Sequence, residues 1–306
     1  MKTRAFLVHA LSPLHAGIGH ADDVVDLPTA RLKASGLPFV PGSSIKGVLR
    51  AAATARSDVP RDERAKDWSV LATFGPLTAE ASAHAGALIV GDARLLALPV
   101  RSFCGTFAWV SSPLLLALAR RDLAAGGLDV PRPPPAGKAA RWALCTQGSV
   151  CVYERTLYLE DLDLPASHAP EVDAWAAFLT PYVAPGDEAA EGIFAKRFAV
   201  IDDDIMSFLC ETALQIDARV RLNPETRTVE AGALWLEESL PPETLLLGLL
   251  AADRTRRSEG VEMPPERVLD FALAPGGTTL QLGGHATIGR GRCRVTPLAK
   301  VEEAPQ

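Results

Sequence analysis

The sequence predicts an α+β fold, and three observations predict it. Strand-like runs and helix-like runs alternate along the chain without a fixed repeat. Of the 306 residues 48% are hydrophobic and 22% charged, enough apolar material to bury a large core and too much for a disordered or fibrous chain. The 24 Gly and 24 Pro demand many turns between elements and argue against a helical bundle. The length suits one large domain or two smaller ones.

Taken in order, residues 2–11 alternate as a strand does. Residues 12–42, with four Pro and four Gly, read as a surface loop, and a loop of that length inside a compact domain usually carries function. Ser43 or Ser44 then caps a helix, SSIKGVLRAAATAR, with Ile45, Val48, Leu49 and Ala52 on one face. Residues 86–98 read as a strand and its continuation, and residues 113–125 as a helix stopped by Gly126 and Gly127. The four prolines of residues 129–138 exclude a helix and predict an extended, exposed connector that divides the fold into halves. Residues 198–201 are strand-like, and Asp202 to Asp204 cap a helix running to Leu214. Residues 216–222 and 228–236 pair as a hairpin across Asn223-Pro224-Glu225-Thr226, and residues 279–295 read as strand, glycine loop, strand.

Composition also excludes functions. No apolar run approaches the roughly 18 residues of a membrane-spanning helix, and His9, Pro13 and His15 follow the alternating residues 1–8 without a small-residue cleavage site, so the expectation is a cytoplasmic protein with no membrane partner. Five scattered cysteines, with no CxxC pair and no His at zinc spacing, predict buried thiols rather than disulfides or a structural zinc. The net charge of −6 means that any phosphate-binding site must be a local basic patch on an acidic body.

Three segments carry candidate chemistry. At the helix start, PGSSIKGVLR combines free backbone N–H groups, the hydroxyls of Ser43 and Ser44, and the cations Lys46 and Arg50, a set suited to a phosphate. It is not a complete phosphate loop, which excludes an ordinary nucleotide hydrolase, and an ordinary capped helix would look the same. In LGGHATIGRGRCRV, Gly284, Gly289 and Gly291 let a backbone approach a ligand while Arg290, Arg292 and Arg294 supply charge; a structural hairpin with turn glycines is the competing reading. In the long loop, His15, Asp22, Asp23 and Asp26 precede Arg31 and Lys33. Carboxylates there suit a divalent metal or removal of a proton from a ribose 2′-hydroxyl, or they are solvated loop acids.

Together VDLPTARLKASGLPFVPGSSIKGVLR (25–50), PVRSFCGTFAWVSSPL (99–114), Asp202-Asp203-Asp204, AGALWLEESLPPETL (231–245) and LGGHATIGRGRCRV (282–295) resemble, in order and spacing, the repeated backbone subunit of the type III-B CRISPR effector, a RAMP-superfamily protein of the Cmr complex. The resemblance implies one RAMP-type domain over residues 1–306. Its palm would be ferredoxin-like and related to the RNA recognition motif, with loop 12–42 and an inserted thumb hairpin and finger-like region between about 129 and 245.

It implies a subunit that polymerises with further copies of itself along a crRNA guide, joins the other subunits of the complex, and cuts complementary target RNA at regular intervals by a 2′-hydroxyl attack dependent on Mg²⁺ or another divalent cation. By that resemblance Ser43, Ser44, Lys46, Arg50, Arg31, Gly284, Gly289, Arg290, Gly291 and Arg292 would hold RNA. Asp26 would be the catalytic residue and possible metal ligand, and His15 a second candidate for orientation or proton transfer. Glu237 is a weaker candidate near the scissile phosphate of a neighbouring subunit's site; otherwise Glu237 and Glu238 are exposed hairpin carboxylates. Leu236 departs from the family, which often has an aromatic residue there. A non-catalytic scaffold that coats crRNA, and a metal-independent endoribonuclease that processes the guide, are the alternatives.

Overall fold

The computed structural model describes residues 1–17, 25–77, 82–137, 141–255 and 262–299. Strand β1 (Lys2–Ala10) leads through the long loop to β2 (Phe39–Val40) and helix α1 (Gly42–Arg56). Helix α2 (Trp68–Phe74) precedes β3 (Leu88–Val90), β4 (Ala93–Arg101), β5 (Phe107–Ser111) and helix α3 (Pro113–Ala125). Strands β6 (Ala143–Cys145), β7 (Val152–Tyr153), β8 (Thr156–Leu159) and β9 (Leu162–His168) lead into helices α4 (Pro170–Val183) and α5 (Glu188–Ala195). Then come β10 (Phe198–Ile201), helix α6 (Asp203–Thr212) and the hairpin β11 (Gln215–Leu222) and β12 (Val229–Ser239). Strand β13 (Leu245–Ala252), helix α7 (Pro265–Ala272), β14 (Thr278–Gln281) and β15 (Arg292–Pro297) close the chain.

The centre of the main sheet runs β15-β1-β13-β4, each neighbouring pair antiparallel. Helix α1 lies in the connection from β1 to β4 and α7 in that from β13 to β15. This is the split βαβ arrangement of a ferredoxin-like palm, as expected. Beyond β4 the sheet continues through β5, β10, β6, β9, β8 and β7, so residues between β5 and β13 widen the palm's own sheet.

Side chains of β1 alternate between the faces. Phe6, Val8 and Ala10 pack with Ile45 and Leu49 of α1 and Val268 and Leu269 of α7. Ala5 and Leu7 pack with Leu116, Ala119 and Leu123 of α3 and with Trp175 of α4. Both faces of the sheet are therefore covered, and each fully buried aliphatic side chain contributes roughly 1.5–3 kcal/mol.

Local expectations held where periodicity was strong and shifted at boundaries. Helix α1 begins at Gly42 with Pro41 as its cap residue and no side-chain cap, so Ser43 and Ser44 lie exposed in the first turn instead of capping it. The reason is Asp92, whose Oδ1 accepts from Gly42 N at 2.8 Å and takes over the capping function from another strand's end. The strand expected over 86–98 breaks into β3 and β4 at Gly91 and Asp92. The proline connector is extended, but Leu128, Val130 and Pro134 are buried and Arg132 O accepts from Trp175 Nε1 at 3.0 Å; it packs against α4 rather than lying free.

Cys145, Cys151, Cys210 and Cys293 are buried free thiols, pushed by burial up to about 12, 11, 12 and 12. No helix among the described residues is long and apolar enough to cross a membrane.

Candidate active site and nucleic-acid interface

Three stretches distant in sequence meet beyond the C-terminal end of β1. Residues 13–17 are clamped from two sides. Leu14 N donates to Leu240 O and Leu240 N to Leu14 O, both at 2.9 Å. From the glycine loop, Gly291 N donates to Pro13 O at 2.8 Å and Gly284 N to His15 O at 3.1 Å. Leu27 runs parallel to β12 as a one-residue third strand, donating to Leu236 O at 3.1 Å and accepting from Glu238 N at 3.0 Å. The base of the hairpin is thereby built between β11, the long loop and the glycine loop.

The Asp26 side chain is exposed, and its Oδ2 accepts from Leu236 N at 2.8 Å. No other hydrogen bond to this carboxylate is present among the described residues. His15 is 7% exposed, and its Nδ1 stands 2.7 Å from Glu238 O. A carbonyl oxygen only accepts, so Nδ1 carries the proton and Nε2 is the basic nitrogen. His15 and His285 face each other with ring centroids 5.4 Å apart.

Glu237 and Glu238 are buried, at 2% and 5% exposed, which corrects the expectation of exposed hairpin carboxylates. They stand at the covered base of the ribbon, whereas its strands further out are open to solvent. Glu237 accepts from Trp235 Nε1 at 2.9 Å and Arg219 Nε at 3.2 Å, and His285 Nε2 lies 3.8 Å away. Burial acts to raise the Glu237 carboxyl, but the Trp235 and Arg219 hydrogen bonds and the charges of His285 and Arg219 outweigh it and hold it below its ordinary value. Glu238 Oε2 accepts from Thr29 N at 2.9 Å and Thr29 Oγ1 at 2.7 Å, and Oε1 from Arg31 Nη2 at 2.7 Å.

Two arginines expected at RNA are engaged inside the protein. Arg31 also donates to Gly36 O at 3.1 Å and Cys210 O at 2.8 Å. Arg290 is 7% exposed, donates to Asp217 Oδ2 at 2.6 Å, and bonds Ser239 Oγ. Arg292 is exposed, its backbone N–H held by Ser12 Oγ at 2.9 Å. Gly284 and Gly289 lie on the surface of the loop, while Gly291 is buried. At Gly283 (φ +71) and Gly291 (φ +74) a Cβ would overlap the carbonyl oxygens of His15 and Leu282, so these glycines serve the close approach of the loop to the protein's own backbone.

The helix-start residues form a second cleft of about 530 Å³, lined by Gly42, Ser43 and Lys46 of α1 and by segments 74–76 and 84–90. Lys46 Nζ donates to Leu88 O at 3.1 Å; burial, then the neighbouring charge of Arg50, lowers its pKa from the ordinary lysine value. Arg50 Nη1 donates to Pro76 O at 3.1 Å, and its buried Nη2 has no partner among the described residues. The structure thus gathers Asp26, His15, Glu237, Arg31 and the glycine loop into one site and places Ser43 and Lys46 in another cleft, with Ser44 and Arg50 on the same helix but outside its lining. Among the described residues no three His, Cys, Asp or Glu side chains could together hold a metal; Asp22 and Asp23 lie outside the described residues. Sequence reasoning missed His285 and the Glu238 clasp, whose partners are distant in sequence, and also Trp235 and Arg219, which reach Glu237 from within the same hairpin; His285 had a signal, its place between the loop glycines.

A ferredoxin-like palm whose long loop, hairpin and glycine loop converge defines a class, and the match is direct: the RAMP superfamily model covers residues 7–294, and the chain belongs to that family. Within it, the chain is 34% identical over 300 residues to the CRISPR system Cmr endoribonuclease Cmr4 of Pyrococcus furiosus, covering 96% of this chain and 95% of that protein. The crystal structure of oligomeric Cmr4 from Pyrococcus furiosus superposes with a TM-score of 0.72 at 27% identity, over 97% of this chain and 98% of that one. The cryo-EM structure of the type III-B Cmr-beta bound to cognate target RNA shares the fold, with a TM-score of 0.71 at 19% identity over 97% of each chain.

Proposed function

We propose that this chain is the repeated backbone subunit of a cytoplasmic type III-B CRISPR ribonucleoprotein. It coats the crRNA guide side by side with further copies of itself and the other subunits, and it cuts complementary target RNA at regular intervals. The observation that carries the catalytic half is the Asp26 carboxylate, anchored at one oxygen by Leu236 N yet exposed where the long loop, hairpin base and glycine loop meet. Likeness to an endoribonuclease over nearly the whole chain supports the reading.

The chemistry follows from the residues. A target strand distorted at the hairpin presents its 2′-hydroxyl in line with the adjacent phosphate, so positioning lowers the barrier. His15 Nε2, the basic nitrogen of its ring, accepts the 2′-hydroxyl proton. Glu238 keeps Asp26 in place through Thr29, and Arg31 keeps Glu238 in place. At this site Asp26 offers a carboxylate with one oxygen held by Leu236 N and the other without a hydrogen bond among the described residues, which would suit Mg²⁺, a cation that usually keeps several waters. Bound at Asp26, it would supply positive charge to the phosphorane-like transition state. We assign guide contact to Ser43, Ser44, Lys46 and Arg50, with Arg292 and the surface of Gly284 and Gly289 as the second contact. Arg31, Arg290 and Gly291 act on RNA indirectly, by holding the site together.

The test is cleavage of an end-labelled target by the complex assembled on its guide with Mg²⁺. Wild type should give evenly spaced products ending in 2′,3′-cyclic phosphate and 5′-hydroxyl, and Asp26→Ala should bind guide normally and lose the ladder. Identical ladders would make the subunit a scaffold, and cleavage unaffected by EDTA would favour the metal-independent processing enzyme.

A further inference from the structure

A 2′-hydroxyl attack makes the O2′–P bond and breaks the P–O5′ bond. The first step releases a proton from the 2′-hydroxyl; the second needs one delivered to the departing 5′-oxygen. His15 answers for the first. The second requires another titratable group, close to His15 and open to the substrate side.

His285 meets these conditions. Its ring is 31% exposed where that of His15 is buried, and the two centroids are 5.4 Å apart. Its backbone is left-handed (φ +63) in the glycine loop, an uncommon conformation for a non-glycine residue, and its ring meets His15 and Glu237. Its carbonyl accepts from Ile288 N at 3.1 Å and Arg290 N at 3.3 Å, which fixes the strained residue. The carboxylate of Glu237, 3.8 Å from Nε2, is the counter-charge for a protonated ring. The charged groups around this pair are accounted for: Arg219 from β11 bonds Glu237, and Arg290 from the same loop is turned onto Asp217. Asp26 is anchored on Leu236 and Glu237 is the next residue of β12, so both flank one point of that strand.

We propose that His285, backed by Glu237, is the proton donor to the 5′-oxygen leaving group, completing a two-histidine exchange with His15. The proposal rests on the endoribonuclease reading above. In it, the 2′-hydroxyl proton passes to His15 Nε2, the new O2′–P bond forms as P–O5′ breaks, and the His285 proton ends on the 5′-hydroxyl of the product.

The test uses the guide-assembled complex with two targets, ordinary RNA and RNA carrying sulfur in place of the bridging 5′-oxygen at one cleavage position. A thiolate departs without a proton. His285→Asn, which tolerates the left-handed backbone, should cut ordinary RNA on the order of 10²–10⁴-fold more slowly than wild type. On the sulfur-bridged target it should match wild type within about threefold, because that leaving group needs no general acid. Equal slowing on both targets, no slowing on ordinary RNA, or a variant complex that fails to bind its guide would each overturn the proposal. If the wild-type complex cuts neither target, the endoribonuclease reading falls and the proposal with it. Cleavage by wild type with an unaffected His285→Asn removes only the role of His285.

Discussion

Glu238 ties the loop that carries Asp26 to the base of the hairpin. Its carboxylate is 5% exposed and is met by one backbone N–H, one hydroxyl and one guanidinium, all from the loop that carries Asp26. Breaking a buried pair leaves an uncompensated charge, and because Arg31 is a quarter exposed the cost falls below that of a fully buried pair. Glu238→Gln should therefore lower stability by about 2 kcal/mol in urea denaturation and slow cleavage, with guide affinity retained. Glu237 sets a pH dependence. Its folded pKa is depressed, so its contribution to stability is present above the ordinary carboxylate value and is lost as pH falls through the depressed one. The stability gap between wild type and Glu237→Gln, read from urea midpoints, should be constant near neutrality and shrink below about pH 4.

At the scale of the element, the glycine loop is a clamp. Gly283 combines a positive φ with a backbone carbonyl where a Cβ would go, whereas at Gly284 the nearest atom to a Cβ is 3.9 Å away on His15. Gly283→Ala should destabilise the protein by about 2 kcal/mol or more and Gly284→Ala by under about 1 kcal/mol, compared by thermal melts of the two variants. The β11–β12 ribbon divides along its length. Its base is buried around Glu237 to Leu240, and further out it exposes Val220, Leu222, Val229 and Leu234. An apolar, solvent-facing ribbon on a buried footing is the form a wedge between stacked bases requires, as the proposed distortion of the target at the hairpin needs.

At the scale of the whole molecule, a net charge of −6 confines phosphate binding to local cations. Lys46 lines the cleft at the start of α1 and Arg50 follows one turn later, and burial, then the charge of Arg50, lowers the Lys46 pKa. Guide binding should weaken linearly in a log–log salt titration, and Lys46→Ala should flatten the slope by about 0.7, the loss of one phosphate contact on a single strand. An unchanged slope would remove Lys46 from the interface.

What was legible in the sequence follows from which interactions are local. Periodicity marked β1, α3, α6 and the hairpin because alternation and helical spacing are properties of neighbouring residues. Helices α2 and α7, of seven and eight residues, are too short to show a period. The sequence by itself determined that the chain buries a large core and, through its ordered motifs, the family and the candidate Asp26. Only the tertiary structure decided that Arg31 and Arg290 face inward, that Glu237 and Glu238 are buried, that Asp92 caps α1, and that His285 meets His15. The contacts of Arg31, Arg290, Asp92 and His285 each pair residues at least 50 positions apart, and Glu237 and Glu238 are covered where the long loop closes on the hairpin base. Charge and burial at such positions are set by the partner, and the partner's identity is written in the fold.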